Sequence, residues 1–108
     1  MNQREFADAV LNDARAYAAS LGYQFGQGAD SFVEGQLLQA GAQVESAPAG
    51  EQAQKLVDAK RSARILIHSM IAQVDTIPGY RAKHPGEIGE DTLGASLTSG
   101  ICPLWPFC

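Results

Sequence analysis

Twenty-five consecutive residues, Glu51 to Asp75, contain neither glycine nor proline. Read as one helix, they make a rod of roughly 37 Å at 1.5 Å rise per residue. In a chain of 108 residues, such a rod supplies the seam against which shorter elements pack. At about 100° per residue, Leu56, Ala59, Ala63, Leu66, Ile67, Met70 and Val74 fall within an arc of roughly 100°. Lys60, Arg61, Arg64 and His68 fall on an adjacent arc, which Ile71 also enters. One side is suited to a core, and its flank to an anion or to water.

The rest of the chain is punctuated into shorter helices. Asn2 and Glu5 have capping-box spacing. Phe6, Val10, Ala14, Tyr17 and Leu21 follow at helical intervals, and Gly22 is placed to end a helix over 3–21. Residues 22–30 read as a loop in which Tyr23 and Phe25 fold back onto the core. This loop is rich in glycine but lacks the Lys-Ser/Thr of a phosphate-binding P-loop and any strand before it. Ser31 and Glu34 form a second capping-box pair, predicting a helix over about 32–45 with Leu37, Leu38, Gly41 and Val44 buried. Gly35 and Gly41 each cost a helix roughly 1 kcal/mol against alanine, which points to close contact with another backbone.

Ser46 to Gly50 is the clearest break, and Pro78 ends the long helix. Residues 87–101 read as a short fourth helix carrying Ile88, Leu93, Leu97 and Ile101, with acids in its first turn. Alternating strand patterns are missing. The expected fold is all-α, a bundle of three main helices plus a short C-terminal one. It forms a single domain over 1–108, with a core over 3–75 and a turn-and-tail segment over 76–108.

Charge is unevenly distributed. Over residues 1–54, Arg4 and Arg15 face seven acids, a net of −5. Over 55–84, six basic residues face Asp58 and Asp75, a net of +4. Glu87, Glu90 and Asp91 bring the total to −4. An acidic chain is not built to coat nucleic acid, which demands many phosphate contacts. The basic middle can hold a smaller anion. Arg81, Lys83 and His84 follow the Pro78 turn, and a chain doubling back there would bring them toward Lys60, Arg61, Arg64 and His68. Arginine forks and a titratable histidine suit phosphate or carboxylate recognition.

No apolar run is long enough to span a membrane. The first residues lack the basic and apolar segments of a secretory signal, so a cytoplasmic location is expected. There Cys102 and Cys108 would stay reduced, as small buried apolar residues. With His68 and His84 they number four zinc-type ligands, but at spacings foreign to zinc sites. Glu87, Glu90 and Asp91 lack a cofactor motif or a partner carboxylate at catalytic spacing, and first-turn acids need no other explanation. No enzyme, cofactor or metal is expected.

The last 17 residues carry no charged side chain, and eight aromatics in all make a lean core. Leu104, Trp105 and Phe107 are expected to dock, on the chain's own core or across a homo-oligomer. The leading expectation is therefore a non-enzymatic, oligomeric binding protein. Its basic flank would hold a nucleotide-like anionic small molecule or an acidic partner protein. By analogy of size, inhibitors and sponges of the kind carried by phages belong to this class. The alternative starts from Ser96, Thr98 and Ser99 preceding Cys102 and Cys108. That segment resembles the cores of lanthipeptide-type precursors, in which dehydrated Ser or Thr is attacked by a thiol. The resemblance implies that residues 1–91 act as a leader and the tail from Gly94 as the product.

Overall fold

The structure, a computed structural model, describes residues 1–100 and residue 106. Its elements run α1 (Gln3–Ser20), β1 (Gln24–Phe25), α2 (Gln27–Glu45), α3 (Ala49–Val74), α4 (Tyr80–Lys83), β2 (Glu87–Ile88) and α5 (Glu90–Thr98). The all-α expectation holds: α1, α2 and α3 enclose one apolar cluster, with α5 packed on α3.

Helix α1 begins at a complete capping box. The Asn2 side chain accepts from Glu5 N at 2.8 Å, and the Glu5 carboxylate in turn accepts from Asn2 N at 3.2 Å. Each satisfies a donor that the first helical turn would leave orphaned. The helix stops at Gly22, whose φ of +86° is left-handed and suits a residue without Cβ. Tyr23 N then bonds back to Ala18 O.

α2 departs from the sequence-based reading. It starts at Gln27, so Ser31 and Glu34 lie inside it and form no cap. Gly26 occupies the N-cap position and contributes no side-chain bond. Two carboxylates from far along the chain cover this helix end instead. A Cβ on Gly26 would come within 2.5 Å of Glu87 Oε1, and one on Gly28 would fall on the Glu90 carboxylate. Negative charge at a helix N-terminus opposes the positive end of its dipole.

The loop expected over 22–30 is likewise shorter than read. Gln24–Phe25 pairs in parallel with Glu87–Ile88, in the register Gln24↔Glu87 and Phe25↔Ile88. Gln24 N bonds to Gly86 O at 2.9 Å and Gly26 N to Ile88 O at 2.8 Å. Two residues per strand give no alternation to detect, which is why the pair is silent in the sequence.

The predicted seam of α3 is the observed one. Ala59, Ala63, Leu66, Ile67, Met70 and Val74 are buried and Leu56 is half-buried. In α2, Leu37, Gly41 and Val44 are buried, joined by Ala29, Val33 and Ala40, while Leu38 is only half-buried. Gly41 meets the backbone of Gln3 on α1, but Gly35 has no atom near enough to meet a Cβ, so only one of the two glycines marks a close approach. The core also runs past residue 75, through Tyr80, Ile88 and Leu93. α5 begins at Glu90 rather than 87 because Glu87 and Ile88 are drawn into the strand pair. It packs through hydroxyls as well as apolar groups: Ser69 Oγ donates to the fully buried Ser96 Oγ at 2.9 Å.

Candidate binding surface

The basic arc of α3 is divided by what α1 offers it. Arg64 makes a two-pronged bond to Asp13, Nε at 3.2 Å and Nη2 at 3.1 Å. Its guanidinium also lies 4.5 Å from the centre of the Tyr17 ring, within cation–π range. Tyr17 shares a 2.5 Å hydrogen bond between its hydroxyl and His68 Nε2, with the two rings edge to face. Asp13 raises the Arg64 pKa above its ordinary value, chiefly through these hydrogen bonds. Arg64 and His68 are thus tied to α1. Arg61 is exposed and Lys60 half-buried, with no ion pair among the described residues.

The second basic group is engaged separately. Arg81 bonds to Asp75 through Nε at 3.1 Å and Nη2 at 2.9 Å, and reaches Tyr23 Oη at 3.4 Å. His84 Nδ1 lies 3.8 Å from Glu87 Oε1 and its ring stacks at a tilt on Tyr80, centroids 4.9 Å apart. Lys83 is exposed.

Among the described residues, three clefts border these elements without being lined by Lys60, Arg61, Arg64 or His68. The largest of them, about 690 Å³, lies between the end of α1, β1 and the Pro85–Gly86 turn. The Arg15–Asp30 ion pair, 2.6 Å at its shortest, stands in its wall. A smaller cleft of about 230 Å³ carries His84, Glu87, Glu90 and Asp91 above Tyr80. Glu87 and Glu90 there are the carboxylates that cover the start of α2. Tyr80 is 4% exposed, and its hydroxyl makes no well-formed hydrogen bond. Burial pushes its phenol above the ordinary tyrosine value, opposed in part by Thr92 and the Gly89 backbone. Among the described residues, no group of three or more His, Cys, Asp or Glu side chains is placed to hold a metal ion. No helix there is long and apolar enough to cross a membrane.

The feature that the sequence reading passed over is the solvent side of α3. Val57 is 49% exposed and Ile65 is 54% exposed, the two highest values among the exposed large apolar side chains of the described residues. Eight residues apart, they lie about 80° from one another around the helix axis, with Arg61 midway. Both sit outside the buried arc, and that displacement was the available signal.

At the other flank of α3, Pro106 is buried and its carbonyl oxygen accepts from Ser62 Oγ at 3.0 Å. Leu104, Trp105 and Phe107, the expected interface anchors, lie outside the described residues, as do Cys102 and Cys108. The geometry thus defines a small α-helical protein with one mixed apolar and basic helix face. The chain matches no protein-family model, no curated protein and no solved structure.

Proposed function

We propose that this protein is a non-catalytic helical binding module whose docking face is the solvent side of α3, directed at an acidic protein surface. The observation that carries the reading is the Val57–Arg61–Ile65 stripe, apolar at both ends and cationic in the middle. Exposed apolar side chains flanking an arginine are what protein interfaces use. The same geometry favours a macromolecular partner over the nucleotide-like small molecule. Small-molecule sites are concave, while the basic residues of α3 line none of the three clefts, and Arg64 already holds a carboxylate. Arg81, Lys83 and His84 form no common pocket with them and drop out of the proposed face.

A modified-peptide precursor is supported less well. Its product segment would begin at Gly94, yet Ser96 is fully buried and bonded to Ser69, and Ser99 donates to Ser96 O at 3.3 Å. Dehydrating those residues would require α5 to leave the fold.

Site-specific photo-crosslinking in the native host tests the proposal. A benzophenone side chain at position 61 or 65 should trap a discrete protein adduct that the same group at exposed Gln39 on α2 does not. The same adducts at all three positions, or none at 61 and 65, would remove the reading.

A further inference from the structure

We infer that the partner surface seated on α3 is an acidic amphipathic helix, with a carboxylate set between two apolar side chains so that it meets Arg61 while they cover Val57 and Ile65. The inference rests on the docking face proposed above and adds the chemistry of its occupant.

The argument starts from what remains unpaired. Arg64 has its carboxylate in Asp13, and His68 has its hydrogen bond with Tyr17. Arg61 is the exposed guanidinium of this face without an ion pair among the described residues, with half-buried Lys60 beside it. Covering Val57 and Ile65 necessarily strips water from Arg61 between them. A desolvated guanidinium demands a carboxylate, which it can hold in a planar two-bond fork. The spacing then selects a helix. Val57 and Ile65 are eight residues apart, roughly 12 Å along the axis. A partner helix with apolar residues at i and i+8 and an acid at i+4 mirrors that stripe and keeps all three on one side.

A second copy of the chain is the competing occupant, and charge disfavours it. A symmetric α3–α3 pairing centred on the stripe would set Arg61 against its own copy, on a helix whose four basic and two acidic residues leave it net positive. Like charges brought together at an interface are a device for rejecting partners, not for holding them.

The test uses the full chain and three synthetic helical peptides. They share leucines at i and i+8 and differ only at i+4, which is Glu, Gln or Lys. Amide chemical shifts of the isotope-labelled protein are followed during titration. The Glu peptide should move the signals of Val57, Arg61 and Ile65 and bind about tenfold more tightly than the Gln peptide, the scale of one close interfacial charge pair. The Lys peptide should bind most weakly. Because Arg61 is exposed, Arg61→Glu should fold normally and reverse the order, so that the Lys peptide becomes the preferred ligand. Equal binding of all three peptides, shifts confined to other faces, or an unchanged order in Arg61→Glu would each overturn the inference. So would concentration-dependent shifts of these amides without peptide, which would make a second copy the occupant. Crosslinks in the host combined with failed peptides would remove only the acidic helix. Peptide binding without crosslinks in the host would remove only the cellular role.

Discussion

A methyl group added at Gly41 should separate two helices that now touch through their backbones. A Cβ there would lie 2.6 Å from the carbonyl oxygen of Gln3, 3.1 Å from its Cα and 3.2 Å from its carbonyl carbon. To restore ordinary contact near 3.4 Å, α1 and α2 would have to part by about 0.8 Å. Gln3 is poorly placed to yield. Its N–H donates to Glu45 Oε2 at 3.0 Å and its side-chain amide to Leu38 O at 2.7 Å, both on α2. Overpacking of this kind costs about 1–3 kcal/mol, against about 1 kcal/mol that alanine recovers in helix propensity. Gly41→Ala should therefore be a net loss of up to roughly 2 kcal/mol. Gly35 is the internal control, on the same helix but with no atom within 4 Å of an added Cβ. Gly35→Ala should gain up to about 1 kcal/mol. The two variants should thus differ by roughly 2 kcal/mol in urea unfolding followed by circular dichroism, with equal m values. Equal stabilities would show that α1 and α2 are not in backbone contact at Gly41.

Three further outcomes follow from the caps and the buried hydroxyls. Asn2→Ala should cost about 1 kcal/mol, whereas Ser31→Ala, inside α2, should leave the urea midpoint unchanged or slightly raised; a loss at Ser31 would restore it as a cap. Ser69→Ala and Ser96→Ala should each cost about 1 kcal/mol, with the double variant costing less than their sum; simple additivity would show that the two hydroxyls are not bonded to one another. Tyr80→Phe should leave stability at neutral pH unchanged or raised, since it deletes a hydroxyl without a well-formed partner. The folded phenol titrates above its unfolded value of 10, so the unfolded chain loses this proton first and stability falls as pH rises through and above 10. Tyr80→Phe should lose less stability on that alkaline limb, measured as the urea midpoint between pH 9 and 11, and an unaltered limb would contradict the shift.

Elements that announce themselves by local chemistry were legible in the chain. The Asn2–Glu5 box, the end of α1 at Gly22 and the buried arc of α3 are each specified within a few residues of where they act. The start of α2 was not, because its partners Glu87 and Glu90 stand some sixty residues away in sequence, while Ser31 and Glu34 offered a nearer and false cap. Burial of Thr92 and Ser96 was hidden for the same reason, as hydroxyls read as surface until a packing partner is known. The basic residues were recognised individually, but their pairing was not. Only the fold shows that Asp13 and Tyr17 occupy Arg64 and His68, leaving Arg61 between Val57 and Ile65.

The β1–β2 pair also joins two parts of the chain that nothing local brings together. Its partners are separated by more than sixty residues, with α2, α3 and α4 lying between them. Without it the first turn of α2 would lack the two carboxylates that oppose its dipole. Closing so long a loop costs entropy before its contacts repay it. Residues 87–90 thus bring a strand and two carboxylates to the start of α2 together, making the short segment between α4 and α5 the clasp of the whole assembly.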